Sequence, residues 1–523
     1  LQAWNWLRIA TLVTLAGLGI PGCSSNQPAE NTSSSPQQGS SDRTNFDTTE
    51  LADSITRFCG SCHAVPQPET FPKDAWFKEV RRGFDFYYSS GRKDVAIPDQ
   101  SDVIAWYQAR APDVLPLPDE TADSEGVIFQ PDTATPGSPP ASTPPSISFV
   151  ARATGRNNSQ EANPPVEFWL SDMKSGSVRR VSLTGEVTAD FPNAALNPAS
   201  IRIVDLNENG QDDLVIADLG SFLPEDHQRG KVLWLPDFEA RRSLTPIPLL
   251  ENVGRIADVR AADFDGDGDQ DLVVAEFGRH TTGGIHLIYN ENDGDDERLF
   301  ITKRLDSRTG PIHVPVIDLD QDGRMDFIAL ISQEHEVVEA FLNRPDGFEK
   351  VRLFAAPDPS YGSSGIELSD FDGDGDQDVL YTNGDTFDSN LIKPYHGIWL
   401  LRNVGDLRFE PVRIASMPGV HRAIAGDVDL DGDQDIVAAA LLPELSTQGR
   451  PGEDFQAIIW LEQKSPGQFA RHVIKRSHPH YAAMILTDVD ADGDPDIVAG
   501  CFSEAKTDPT LEIFRNGSGN GLP

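Results

Sequence analysis

One nine-residue pattern occurs six times between residues 205 and 496: DLNENGQDD (205–213), DFDGDGDQD (263–271), DLDQDGRMD (318–326), DFDGDGDQD (370–378), DVDLDGDQD (427–435) and DVDADGDPD (488–496). The first positions are 58, 55, 52, 57 and 61 residues apart. Each copy follows a short apolar run and precedes another. A repeat of this period marks one supersecondary unit per copy, with neighbouring units stacked to bury a continuous core. The pattern therefore constrains architecture, metal and compartment together. It does not by itself specify a reaction.

Every copy has a carboxylate or amide oxygen at positions 1, 3, 5 and 9, and Gly at position 6. Alternate residues of a tight loop can aim at one point, and Gly permits the bend. Oxygen donors without His or Cys suit a hard cation, so Ca²⁺ is expected rather than zinc or iron. The expected side-chain ligands are Asp205, Asn207, Asn209 and Asp213; Asp263, Asp265, Asp267 and Asp271; Asp318, Asp320, Asp322 and Asp326; Asp370, Asp372, Asp374 and Asp378; Asp427, Asp429, Asp431 and Asp435; and Asp488, Asp490, Asp492 and Asp496. Residue 7, such as Asp269, would add its backbone carbonyl. The two Asn of the first copy lower its charge, so it should bind most weakly. A twelve-residue EF-hand would need Glu at position 12, where this chain has Val274, Ala329 and Ala438. The plain alternative is an acidic turn without metal; six copies in register argue against it.

Each unit holds four short apolar runs, as in GIELS (365–369), the run after the loop, GIWLLRN (397–403) and FEPVRIA (409–415). Four strands per unit at this period predict propeller blades. The residues resemble the FG-GAP/VCBS repeats of integrin-like β-propellers over roughly 124–516, where the loop joins the first two strands of a blade. A blade without the Asp pattern is expected upstream: SISFVAR (146–152), VEFWLSD (166–172), SVRRVSL (177–183) and EVTADF (186–191) fill its strands, and TGRNNSQEANPP (154–165) replaces the loop. The last unit supplies three strands, and GVIFQ (126–130) is the candidate fourth, closing the ring. The fold class is thus multidomain: a small all-α domain, then an all-β seven-bladed calcium-binding propeller, with six blades the alternative.

Net charge is −40. Up to six bound Ca²⁺ would leave about −28 and relieve self-repulsion. Such a surface excludes nucleic acid as a partner, which needs basic patches. Residues 1–23 carry one Arg before an apolar stretch too short to span a bilayer, and read as an export signal. IPGC followed by two Ser resembles a bacterial lipoprotein signal, which implies cleavage before Cys23, lipidation of Cys23 and membrane contact through that anchor alone. Export to the periplasm or cell surface follows, as an outer-membrane lipoprotein. Cys501 reads as a buried small residue.

FCGSCHAVPQP (58–68) contains Cys59, Cys62 and His63. C-x-x-C-H is the attachment signature of c-type haem: two thiols can add to the vinyl groups, and the adjacent His offers its imidazole to iron. Three helices are expected around it, at 48–58, 72–90 and 98–112. A structural disulfide, a thioredoxin-like pair or half a zinc site are the competing readings. The thioredoxin reading lacks a βαβ pattern, and the zinc reading lacks a second ligand pair. The layout through FPKDAW resembles the monohaem regions of planctomycete-type VCBS-repeat lipoproteins, which implies one covalent haem c. No Met occurs in this segment, so a distal ligand would be absent or come from Tyr87, Tyr88, Lys93 or a propeller Met.

The expected organisation is a signal peptide (1–22), flexible tether (23–45), cytochrome c-like domain (46–115), Pro-rich linker with the closing strand (116–145), propeller (146–516) and disordered tail (517–523). Segments entering the innermost strands, with Arg255, Asp258, His313, Tyr361, His421, Arg422, His478 and His480, are candidates to line the propeller axis. No hydrolase, zinc-protease or dinucleotide motif appears. Three functions fit: an electron-transfer lipoprotein docking a redox partner protein; a propeller-type dehydrogenase on a small-molecule substrate with the cytochrome as internal acceptor; or a surface adhesion module binding a glycan.

Overall fold

The computed structural model describes residues 48–125, 128–132, 143–153, 165–240, 245–291, 299–447 and 449–517. The expected lipid-anchor Cys23, the tether, residues 126–127 of the closing strand, much of the linker, the replaced loop at 154–164 and the tail beyond 517 lie outside the described residues. Among the described residues no helix is long and apolar enough to cross a membrane.

Three helices come first: α1 (Thr48–Cys59), α2 (Trp76–Ser89) and α3 (Gln100–Gln108). Helical spacing puts Leu51, Ile55 and Phe58 on one face of α1, and Trp76, Val80, Phe84 and Tyr87 on one face of α2. These faces and Val103 and Tyr107 of α3 make one small core, with the Trp76 and Tyr107 rings stacked 3.9 Å apart. Asp99 caps α3 by accepting from the Ser101 and Asp102 amides.

Seven sheets follow, each antiparallel along its consecutive strands, at 147–191, 198–253, 256–306, 311–355, 363–416, 420–476 and 481–515; they are numbered here as blades 1 to 7. The second strand of every blade is buried along its whole length, from Glu167–Asp172 in blade 1 to Asp496–Cys501 in blade 7. A strand covered on both faces needs a continuous apolar run, and the run after each nonapeptide supplies it. Outer strands are more open to solvent: no residue of Ile247–Val253 is fully buried.

Each pair of consecutive blades shares one apolar layer, and the layer of Ile147, Val150 and Phe168 with Val498 and Ile513 joins blade 1 to blade 7. The ring is therefore closed, and it has seven blades, not six. Blade 7 takes its outer strand from the N-terminal side: Gln130–Pro131 pairs antiparallel with Leu511–Arg515, Gln130 opposite Arg515. Phe129 is buried in the layer between blades 6 and 7. A strand the sequence did not suggest, Ser124–Glu125, runs parallel to Gln468–Arg476 and gives blade 6 a fifth strand.

The helices and the propeller form one compact unit. The helices meet the face opposite the nonapeptide loops, at blades 3 to 5. Lys393, 1 % exposed, donates from Nζ to the Thr70 carbonyl (2.6 Å) and lies 3.4 Å from the Phe71 ring centroid. The Gln67 amide donates to Asp358 Oδ2 (2.6 Å), and Leu391 of blade 5 packs on the helical core.

Candidate functional site

The six nonapeptides share one conformation. Position 6 is Gly with positive φ in all of them, from 83° at Gly210 to 101° at Gly268. Position 4 is also left-handed, even where it is Leu430 (φ 63°) or Ala491 (φ 65°). Only Gly holds this backbone without strain, so two residues of each loop are bent to turn side chains 1, 3 and 5 inward.

The carboxylate at position 9 is buried and doubly used. Asp271 accepts from the Phe264 amide (3.0 Å) and from the Asn290 amide (2.8 Å). Asp213, Asp326, Asp378, Asp435 and Asp496 repeat this with Leu206 and Asp237, Leu319 and Asn343, Phe371 and Asn403, Val428 and Gln463, and Val489 and Asn516. One side chain thus ties the loop start to the end of the third strand. The amide side chains there reach the previous blade: Asn290, Asn343 and Asn516 donate to the carbonyls of Leu206, Phe264 and Val428. Sequence reasoning missed this staple, although the third-strand runs IHLIYN, VVEAFLN, GIWLLRN, AIIWLEQ and LEIFRN all end in Asn or Gln.

Carboxylate oxygens of Asp263, Asp265 and Asp271 lie within 4.8 Å of one another, as do those of Asp318, Asp320 and Asp326, and of Asp370, Asp372 and Asp374. Crowding anions out of water is unfavourable. Burial, opposed by the backbone hydrogen bonds and reinforced by neighbouring carboxylates, lifts Asp271 and Asp435 to about 7 and Asp378 and Asp496 to about 6. The donor set and this electrostatic tension fit a hard divalent cation. The loops are not equal, however. Arg344 donates to Asp320 and Asp322 in the third loop, where Arg324 also engages Asp322. Arg515 donates to Asp490 of the sixth loop (2.6 Å).

Cys59 ends α1, and Cys62 and His63 follow within the next turn. Both thiols are free. Burial pushes the Cys59 thiol up to about 11, while Tyr107 opposes that shift by hydrogen bonding. Cys62 is exposed, with Arg92 Nη1 2.8 Å from its sulfur. His63 Nδ1 lies 2.7 Å from the Ala64 carbonyl. A carbonyl only accepts, so Nδ1 carries the proton and Nε2 keeps its lone pair, as a metal-ligating His requires. The residues therefore fit a covalently held haem. Of the distal candidates, Tyr87 is buried with its hydroxyl on the Val95 carbonyl, and Tyr88 is exposed. His335, in a blade 4 loop, lies close enough for His63 to contribute to its lowered pKa, after the larger effect of burial.

A third cluster lies on the propeller axis. Asp258 is 2 % exposed and accepts from Arg202 (2.8 Å), Arg260 (3.0 Å), Ser200 (3.2 Å) and the Val314 amide (3.2 Å), with His313 Nδ1 at 3.9 Å. Arg422 pairs with Glu367 at 3.1 Å. His421, held near 4 by burial, feels both His313 and Arg422. Of the expected axial residues, Asp258, His313, His421 and Arg422 come together. Four do not join them. Tyr361 stacks on Tyr395 at 4.9 Å inside a core layer. Arg255 lies at the blade 3 entrance against Phe277. His480 faces blade 7's own strands beside Tyr481, and His478 precedes it. Arg202, Arg260 and Glu367 were missed; each stands three residues before its loop's first Asp, a register visible in the sequence.

Residues 263–329 and 318–381 match a family model described as FG-GAP-like repeat. Among solved structures, similar chains include BBS1N in complex with ARL6DN (10 % identity, 75 % of this chain and 97 % of that chain, TM-score 0.41). The N-terminal domain of Nup159 is another (11 %, 76 % and 97 %, 0.40), as is virginiamycin B lyase from Staphylococcus aureus (11 %, 70 % and 98 %, 0.40). No curated protein matches the chain. The chain carries FG-GAP-like repeats within a seven-bladed β-propeller.

Proposed function

We propose that this chain is an exported haem-binding electron-transfer lipoprotein, anchored through Cys23, whose calcium-stabilised propeller docks a redox partner or substrate. The observation that carries this reading is the turn after α1. It presents two unpaired thiols and a His whose Nδ1 is committed to a backbone carbonyl. Cys59 and Cys62 would hold the haem, and His63 would face its iron through Nε2. Bound haem supplies a one-electron iron couple. The chain's own residues position it: Lys393, Asp358 and Leu391 fix the helical segment to blades 4 and 5, so the propeller sets how a partner approaches.

Calcium in the nonapeptide loops has a structural role in this proposal. Each ion would neutralise a carboxylate cluster next to a hairpin already tied by position 9, and would add folding energy through binding. The fourth loop has a full Asp set. The first is weakened by its Asn residues, and the third by Arg344.

One observation favours the dehydrogenase reading as an alternative: Asp258, Arg202, Arg260, His313 and Arg422 converge on the axis. Reduction of the haem by an added small-molecule substrate, lost in Asp258→Asn, would select it. The primary reading is tested by Cys59→Ala/Cys62→Ala, produced with c-type haem maturation. Haem stain should vanish from the protein band after denaturing electrophoresis. Stain that survives would show that these thiols are not the attachment site.

A further inference from the structure

A second, chemically different cluster lies in blade 7, away from the nonapeptide loops and the thiol pair. His480, Cys501 and Glu512 each offer a ligand atom, and the three atoms lie within 4.8 Å of one another. The strand register explains the convergence. Tyr481 stands opposite Cys501, and Ala499 opposite Glu512, so Cys501 and Glu512 are diagonal neighbours on one sheet face. His480 enters from the residue before the first strand, Tyr481–Thr487. That face packs on blade 6, where Tyr481, Cys501 and Phe514 join Ile458 and Trp460 in an apolar layer.

From this juxtaposition we infer that His480, Cys501 and Glu512 form a site for a borderline divalent transition ion, zinc first, between blades 6 and 7. Each donor is prepared for the role. His480 Nε2 is buried and has no hydrogen-bond partner among the described residues, while the ring bonds to the backbone of His478. A ring nitrogen tied to backbone leaves the other as the ligand. Cys501 is a free thiol, 0 % exposed. Glu512 is oriented by the Tyr481 hydroxyl (2.8 Å), with Lys475 at 3.5 Å.

One nitrogen, one sulfur and one oxygen donor match zinc and its neighbours, and do not match calcium or magnesium. The charges also balance. A thiolate and a carboxylate offset the two charges of a divalent ion, and Lys475 beside Glu512 stays at the partly exposed edge of the centre. Tetrahedral zinc, with Zn–S of about 2.3 Å and Zn–N or Zn–O of about 2.0–2.2 Å, spaces its ligand atoms about 3.3–3.7 Å apart. The three atoms, within 4.8 Å of one another, would draw together by at most about 1.5 Å to reach that size. Binding releases the thiol proton to solvent and changes no oxidation state. An ion here would pin the first three strands of the blade that closes the ring. This site stands independently of the haem and calcium readings.

The test uses the full chain carrying Cys23→Ser, Cys59→Ser and Cys62→Ser, which leaves Cys501 as its one thiol. Titration with Co²⁺ in the presence of saturating Ca²⁺ should give one equivalent with a thiolate-to-cobalt charge-transfer band, displaced by Zn²⁺. Oxygen-only loops produce no such band. Cys501→Ser should abolish it. His480→Gln should weaken binding at least ~tenfold, and Tyr481→Phe, which frees the carboxylate, by about 10–100-fold. Circular dichroism establishes folding, and His480→Gln carries the test should Cys501→Ser fail to fold. Absence of the band in the folded one-thiol protein overturns the site. So does a band whose affinity is unchanged by His480→Gln, because the thiol would then bind cobalt alone.

Discussion

Replacing Asp271 with Ala separates the structural role of a nonapeptide from its role in metal binding. Its carboxylate accepts two buried backbone amides, from Phe264 at 3.0 Å and Asn290 at 2.8 Å. Each amide left buried and unsatisfied costs about 1–3 kcal/mol, whatever the charge on the carboxyl that burial lifts to about 7. Asp271→Ala should therefore lower stability by about 3–5 kcal/mol even in excess chelator. Asp265 is the control. It is exposed and accepts the Asp267 amide at 3.2 Å. Asp265→Ala should change metal-free stability by less than about 1 kcal/mol. With Ca²⁺ at one hundred times its dissociation constant, each variant should also lose the contribution of one site, about 2.7 kcal/mol. Urea unfolding followed by tryptophan fluorescence, with chelator and with Ca²⁺, measures all four values. Equal metal-free stability of the two variants would refute the position-9 tie. An Asp265→Ala deficit that does not grow with Ca²⁺ would refute metal binding at that loop.

Further expectations concern pH, the third loop and the domain interface. In the metal-free protein Asp271, Asp435, Asp378 and Asp496 titrate above the unfolded carboxylate value. The native state then holds extra protons, so stability is fullest below about pH 4 and is lost as pH rises through about 6 to 7. Ca²⁺ competes with those protons, so unfolding midpoints across this range should show a smaller or reversed slope when it is present. Arg344→Ala should strengthen Ca²⁺ binding at the third loop, seen by calorimetry as a gain in the affinity of one site. Lys393→Ala removes a buried charge-assisted hydrogen bond and a ring contact, at a loss of about 2–4 kcal/mol. Limited proteolysis between the helices and the propeller should then accelerate.

The propeller was legible because a loop bent at an invariant Gly, with acidic or amide side chains at alternate positions, leaves an unmistakable residue pattern, and a strand buried on both faces leaves an apolar run. Blade 1, which lacks the nonapeptide, could still be placed by its four runs and the period. Ser124–Glu125 left no signal: two residues are too few for alternation, and their pairing is decided by the far-off edge of His472 and Val473. The axial cluster was half visible. His and Asp attract notice in a sequence, whereas Arg202 and Arg260 look like ordinary surface charges until strand register turns them toward Asp258. Cys501 read correctly as buried, but its neighbours come from elsewhere in the blade, His480 from just before the first strand and Glu512 from the third, and only the register brings them to it.

The most direct test of the proposed function is a pyridine haemochrome spectrum of the full chain produced in a host with c-type haem maturation, with haem counted against protein. A c-type band at one haem per chain, reducible and reoxidisable, is the expected result. A folded chain without covalent haem despite competent maturation would contradict it. Cys59, Cys62 and His63 would then be a thiol-bearing turn, and docking or adhesion by the propeller would become the leading function.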